Sequence, residues 1–143
     1  MTSFLVLQGP NLNLLGKREP EVYGSQSLDE LQADLSAWAA GRGIELEFLQ
    51  SNSEGELLDA LQGAEGRLDG AVINPGGYSH TSVALRDCIA GLTLPVLEVH
   101  LSNLHARESW RKRTLSGAVA LGVISGLGPS GYKLALLHLA GKV

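Results

Sequence analysis

Short apolar runs alternate along this chain with stretches in which apolar residues recur at helical spacing. Phe4, Leu5, Val6 and Leu7 form the first run and predict a strand. Ser27 followed by Glu30 makes a capping box, in which two side chains satisfy backbone N–H groups of the first helical turn. Leu28, Leu31, Leu35 and Trp38 then mark one face of a helix that closes near Gly41. Past Gly43, residues 44–49 alternate as a strand with one wet face. The pattern then repeats. Ser53 and Glu56 form a second capping box, with Leu57, Leu58 and Leu61 behind it, and residues 71–73 read as a third strand. A helix is predicted over 80–90, with Val83, Leu85, Cys88 and Ile89 as its apolar positions. Strands follow over 95–101 and 118–124, and a last helix over 129–140 carries Pro129 in its first turn.

Strict alternation of strand and helix implies a parallel sheet covered by helices on both faces. Five strands in 143 residues suit a flavodoxin-like, doubly wound α/β sheet of order 2-1-3-4-5 with right-handed crossovers. Strands 1, 3 and 4 are the most uniformly apolar and belong at the centre, with the half-wet strand 2 at an edge. Ligands of such sheets bind outside the carboxyl ends of the strands, so the segments after each strand are where chemistry is expected.

Composition narrows the class. The length fits a single domain over residues 1–143. Apolar residues make up 44% and charged residues 18%, which marks a globular chain rather than a disordered one. A net charge of −4 without a basic stripe gives no electrostatic case for nucleic acid. A lone cysteine, Cys88, cannot pair within the chain, and the first residues carry neither a charged leader nor a long apolar run. The expectation is a cytoplasmic protein with no membrane partner. The 18 glycines are scattered rather than tandem, which points to constrained turns and not to a linker.

After strand 1, residues 9–26 show no clear element. A connection this long at the ligand edge reads as a lid, with Gly16, Pro20 and Gly24 as pivots and Asn11, Asn13, Arg18 and Tyr23 as its polar equipment. After strand 3, residues 74–82 form a glycine turn feeding a helix N-terminus, where free N–H groups favour oxyanions. Asn74 and His80 are placed there to hydrogen-bond a polyhydroxylated ligand. Strand 4 carries the sharpest signal. Glu98 and His100 stand two apart and so share one sheet face, and a carboxylate in a central strand is costly unless paired. Glu98 orients the imidazole and favours the protonated ring that an acid catalyst needs. Ser102 and Asn103 close that strand. Of the arginines that follow, Arg107 and Arg113 read as a solvated face, while Arg111 stays a candidate for pairing with a carboxylate.

Gly126, Gly128 and Gly131 match a dinucleotide fingerprint, but the required downstream strand and acid are missing before Val143, so they read as a tight turn. His80, His100, His105 and His138 lack metal-ligand spacing, so no metal and no cofactor are expected. Two rivals can be weighed. A phospho-receiver module needs acids at the end of strand 1, where Gln8, Gly9, Pro10 and Asn11 stand, and a flavin site needs a hydroxyl-rich loop there. A Schiff-base enzyme needs a lysine in an apolar strand, and Lys17, Lys112, Lys133 and Lys142 all lie elsewhere.

Together these segments resemble the type II 3-dehydroquinate dehydratases. The resemblance rests on residues 9–16, 18–24, 73–82, 98–103, Arg107 with Glu108, 122–128, and Gly131 with Tyr132, and it spans the chain in order. Gln8 stands where that family often has Asn, and Trp110 where Phe is common. The resemblance implies anti elimination of water from 3-dehydroquinate through an enolate, on the shikimate route to aromatic amino acids, without metal or Schiff base. It implies that Tyr23 is the base at C2, that Arg18 stabilises its tyrosinate, and that His100 protonates the departing C1 hydroxyl. Asn11 would hold a water at the enolate oxygen. Asn74, His80, Leu101, Ser102 and Arg111 fall on substrate-binding positions, with Leu101 and Ser102 toward the carboxylate and Arg111 toward the ring hydroxyls. Asp87 falls on a position that reaches a neighbouring subunit's site, in a family commonly built as a dodecamer of four trimers. A free phenol ionises near pH 10, so a phenolate base at neutral pH needs roughly 4 kcal/mol of differential stabilisation. A nearby guanidinium in a water-poor site can supply it.

Overall fold

The computed structural model describes residues 2–17 and 19–143, and of Tyr23 the backbone alone. Its frame is a five-stranded sheet of order β2-β1-β3-β4-β5, in which every adjacent pair is parallel. The strands are β1 (Thr2–Gln8), β2 (Ile44–Gln50), β3 (Gly70–Asn74), β4 (Val96–His100) and β5 (Gly122–Ser125). The main helices are α2 (Leu28–Ala40), α3 (Glu54–Ala64) and α5 (Val83–Gly91) between strands and α6 (Ser130–Leu139) after β5, and two short ones are α1 (Pro20–Tyr23) and α4 (Tyr78–Thr81). The flavodoxin-like order expected from the alternation is the one found.

The two-residue period of β1 shows how the sheet is buried on both sides. Phe4 and Val6 join Leu31 and Leu35 of α2 and Tyr132 and Leu136 of α6 in one core. Leu5 and Leu7 join Leu57 and Leu61 of α3 and Leu85 and Ile89 of α5 in the other. β3 and β4 are buried along their whole length, as central parallel strands must be. β2 alternates buried and exposed positions and lies at one edge. β5 is the opposite edge. None of the described helices is long and apolar enough to cross a membrane.

Several boundaries differ from the sequence expectation for local reasons. The helix expected over 80–90 breaks at Ser82, whose hydroxyl caps α5 by accepting from Leu85 N–H at 2.9 Å. The fifth strand starts only at Gly122, because the N–H groups of Val119 and Ala120 turn back to the Ser116 carbonyl. The Ser27–Glu30 capping box is complete, at 3.1 and 3.3 Å. The Ser53 box is half made: Ser53 Oγ accepts from Glu56 N–H, while the Glu56 carboxylate turns to the Ser51 hydroxyl. Pro129 is the N-cap of α6 rather than its first helical residue. Of the three glycines in the fingerprint-like turn, Gly126 and Gly128 have positive φ. A Cβ on Gly131 would sit 3.1 Å from Val99, so this turn is built for close packing of α6 on the sheet.

Candidate active site

The carboxyl ends of β1, β3 and β4, neighbours in the sheet, open into a cleft of about 160 Å³. The lid segment forms one wall. It begins with Asn11 in the left-handed region at φ 69°, a conformation that asparagine tolerates better than most residues. Its N–H donates to Asn52 Oδ1 at 2.9 Å, and Gln50 Nε2 donates to the Gly9 carbonyl at 3.1 Å. Leu12 and Leu14 of the 3-10 turn that follows, with Leu15 just past it, supply apolar lining. The segment expected to lack structure thus holds this turn and α1. Gly16 and Gly24, two of its expected pivots, both have positive φ. Arg18 lies outside the described residues, as does the side chain of Tyr23, whose backbone ends α1.

Glu98 and His100 sit on the face of β4 that looks toward α3 and α5. Both are buried, and His100 Nε2 meets Glu98 Oε2 at 2.8 Å. The buried Ser116 hydroxyl donates to the other carboxylate oxygen, Oε1. Both oxygens of a carboxylate with no solvent exposure are therefore occupied, the condition under which it can remain charged. The carboxylate holds the imidazole by one nitrogen, leaving the other for the cleft that His100 lines.

Asn74 ends β3 and is fixed at both ends of its amide. Its Oδ1 accepts from Gly76 N–H and its Nδ2 donates to Tyr132 Oη, each at 3.1 Å. Tyr132 in turn donates to Gln8 Oε1 at 2.7 Å. Burial pushes the Tyr132 phenol up to about 12, only partly opposed by those hydrogen bonds, so it acts as a neutral strut. Most of the N–H groups that the glycine turn was expected to offer are engaged within it. Gly76 N–H is taken by Asn74, and those of Tyr78, Ser79 and His80 by the Pro75, Gly76 and Gly77 carbonyls. The turn also presents side chains. His80 Nδ1 contacts the Arg113 carbonyl at 2.8 Å; a carbonyl only accepts, so Nδ1 carries a proton and Nε2 is the other face of the ring. The ring lies 6.3 Å from that of His100, nearly parallel to it.

The polar segment after β4 completes the cleft. Arg111 lines it and its Nε donates to Glu108, whose carboxyl is held low mainly by that hydrogen bond. Arg107, expected on a solvated face, is only 10% exposed; it donates to Ser102 Oγ at 3.3 Å and lines the cleft. Two 3-10 turns, Leu104–Ala106 and Ser109–Lys112, fold the segment back over the strand ends and enclose it. Arg113 is exposed as expected.

Of the candidates named from the sequence, Asn11, Asn74, His80, His100, Leu101, Ser102 and Arg111 line one cleft, with Glu98 beneath His100. Asp87 does not line it: it lies on α5, exposed, paired with Arg86 at 3.1 Å. Arg107, Ser116 and Tyr132 were missed. Arg107 left a signal, being four residues from Arg111 at the ligand edge, and Tyr132 stood in a segment that carries the resemblance; Ser116 left none. No three His, Cys, Asp or Glu side chains among the described residues group as a metal site.

An imidazole braced by a buried carboxylate, facing arginines and side-chain amides at the edge of a flavodoxin-like sheet, defines an acid–base site for a small, oxygen-rich anion. The model of the family described as Dehydroquinase class II matches residues 2–140. A 3-dehydroquinate dehydratase of Chelativorans sp. is 56% identical, covering 96% of both chains. A catabolic 3-dehydroquinase of Aspergillus oryzae is 52% identical over 96% of this chain and 90% of that one. The crystal structure of a type II dehydroquinase from Butyrivibrio crossotus superposes with a TM-score of 0.95 at 40% identity, covering 97% of each chain. This chain belongs to the class II dehydroquinase family.

Proposed function

We propose that the chain dehydrates 3-dehydroquinate to 3-dehydroshikimate by anti elimination through an enolate. The family membership carries the reaction, and the Glu98–His100 pair beside the cleft supports the acid half of the mechanism. In this reading the Tyr23 phenolate, stabilised by Arg18, takes a proton from C2 and the electron pair moves onto the C3 carbonyl oxygen. The enolate then collapses to form the C1–C2 double bond as the C1–O bond breaks. His100 protonates the departing hydroxyl, which leaves as water. Asn11 holds a water against the enolate oxygen. Ser102, with Leu101 and the arginine that touches it, Arg107, faces the substrate carboxylate. Asn74, His80 and Arg111 hold the ring hydroxyls and carbonyl. Without a lysine in the apolar strands the chain uses neither a Schiff base nor, by the same family reading, a metal or other cofactor.

The chain acts in the cytoplasm as a dodecamer of four trimers, with Asp87 reaching a neighbour's cleft. Its exposed position on α5, away from its own cleft, supports that placement. The unpaired edge at β5, with Leu121 and Val123 exposed, is a surface suited to another copy. The test is to add 3-dehydroquinate and follow conjugated-enone absorbance. The reading predicts a rise that chelator does not slow and that borohydride with substrate does not abolish. An inert chain, or one trapped covalently by borohydride, contradicts it. Light scattering that finds a monomer contradicts the assembly.

A further inference from the structure

We propose that Trp110 is a positioning residue that holds His80 and Arg111 in their ligand-binding arrangement; this rests on reading the cleft as the dehydratase site. Trp110 sits in the 3-10 turn Ser109–Lys112, and its side chain is one of the largest apolar surfaces left to solvent, at 57% exposure. It supports neither core of the sheet. Its ring instead meets two side chains of the cleft wall. The His80 ring stands edge-on to it, with centroids 5.6 Å apart and planes at 88°. The Arg111 guanidinium carbon lies 4.3 Å from its centroid. Both contacts have the geometry that an aromatic quadrupole favours.

The rest of the turn grips the same two groups. The Arg113 carbonyl fixes His80 Nδ1, and Glu108 fixes Arg111 Nε. Each of those bonds leaves a rotation unconstrained: the imidazole can swing about its single hydrogen bond, and the guanidinium about Nε. The indole restricts both rotations at once by touching both groups. It does not itself line the cleft, so it acts through His80 and Arg111. Neither of these is assigned a bond-making step, so the effect falls equally on ground state and transition state and appears in KM. Each contact is worth a few-fold in an equilibrium, and losing both is expected to raise KM about tenfold.

The experiment compares Trp110→Ala and Trp110→Phe with the parent chain in steady-state kinetics, thermal melting and tryptophan emission. Trp110→Ala is expected to raise KM about tenfold with kcat within roughly threefold and an unchanged melting temperature. Trp110→Phe keeps an aromatic edge and face and is expected to recover most of that loss. An equilibrated mixture of 3-dehydroquinate and 3-dehydroshikimate should change the emission of the parent chain. The change should vanish in Trp110→Phe, where Trp38 remains as the internal control. An unmoved KM in Trp110→Ala overturns the proposal. So does a loss of kcat and melting temperature that Trp110→Phe fails to restore, the mark of a purely structural role. The two readings fail separately: an inert parent chain refutes the dehydratase reading, whereas an active one with an unmoved Trp110→Ala KM refutes the role of Trp110.

Discussion

Replacing Glu98 separates its electrostatic part from its structural one. The carboxylate has no exposure, accepts from His100 Nε2 at 2.8 Å on one oxygen and takes the Ser116 hydroxyl on the other. Glu98→Ala removes both acceptors and strands two donors in a region with no more than 5% exposure. Each stranded donor costs about 1–3 kcal/mol, and breaking a buried pair from one side costs about 3–5 kcal/mol in total. Glu98→Gln differs in kind. Its carbonyl still accepts from His100, and its amide can donate to Ser116 once that hydroxyl turns to accept. Neutralising the site also returns part of the cost of burying a charge, so the expected stability change stays within about 1 kcal/mol. Catalysis is hit more selectively. A charge-assisted hydrogen bond is about twice as strong as a neutral one, a loss of roughly 1–2 kcal/mol at the imidazole. That corresponds to a fall in kcat of about 5- to 30-fold with the fold intact. Urea denaturation and steady-state kinetics of the two variants provide the assay. Equal stabilities for Glu98→Ala and Glu98→Gln, or a wild-type kcat in Glu98→Gln, would refute this account of the pair.

Tyr132 links stability to alkaline pH. Its phenol is raised from 10.0 to about 12 in the folded chain, so its contribution is complete below pH 10 and is lost as pH rises through 12. The loss should reach roughly 3 kcal/mol in denaturation followed against pH, and Tyr132→Phe should flatten that slope. An unchanged slope in Tyr132→Phe would assign the alkaline loss to other groups. Gly9→Ala should destabilise the chain by about 1–3 kcal/mol, because its Cβ would lie 2.5 Å from the Pro75 carbonyl oxygen, a backbone atom that cannot swing aside. It should also raise KM, since that clash pushes Asn11 away from Asn74 across the cleft; a wild-type melting temperature would show that the turn can relax.

What the sequence made legible followed from periodicity. The period of two in β4 puts Glu98 and His100 on one face without any structure, the strand–helix alternation implies the parallel sheet, and the apolarity of each strand separates its centre from the β2 edge. Distant polar partners were not legible. Ser116 ends an unremarkable polar stretch, and only the approach of residues 114–121 to β4 makes it the second partner of Glu98. Ser82 reads as an interior helical position, yet its hydroxyl caps α5 and donates to Glu54 of α3, so the helix begins anew there. The apolar letters of 118–121 mimic a strand, but Leu121 is 59% exposed and its N–H bonds the Val96 carbonyl ahead of β5. Arg107 looked solvated because nothing local buries it; the folded-back turns do. Trp110 carries no periodic signal, and the helical spacing of Tyr132 with Ala135 and Leu136 marks it only as core; what gives both their roles is the meeting of segments far apart in the chain.

The division of labour between Tyr23 and His100 is tested most directly by hydrogen exchange at C2 of 3-dehydroquinate in deuterated water, measured by NMR. On the proposed roles, His100→Ala keeps the base and removes the leaving-group acid. The account predicts that deuterium continues to enter C2 while dehydration slows severely. In Tyr23→Phe both exchange and dehydration should cease, with the melting temperature unchanged. Exchange that persists in Tyr23→Phe, or that stops together with dehydration in His100→Ala, would contradict it.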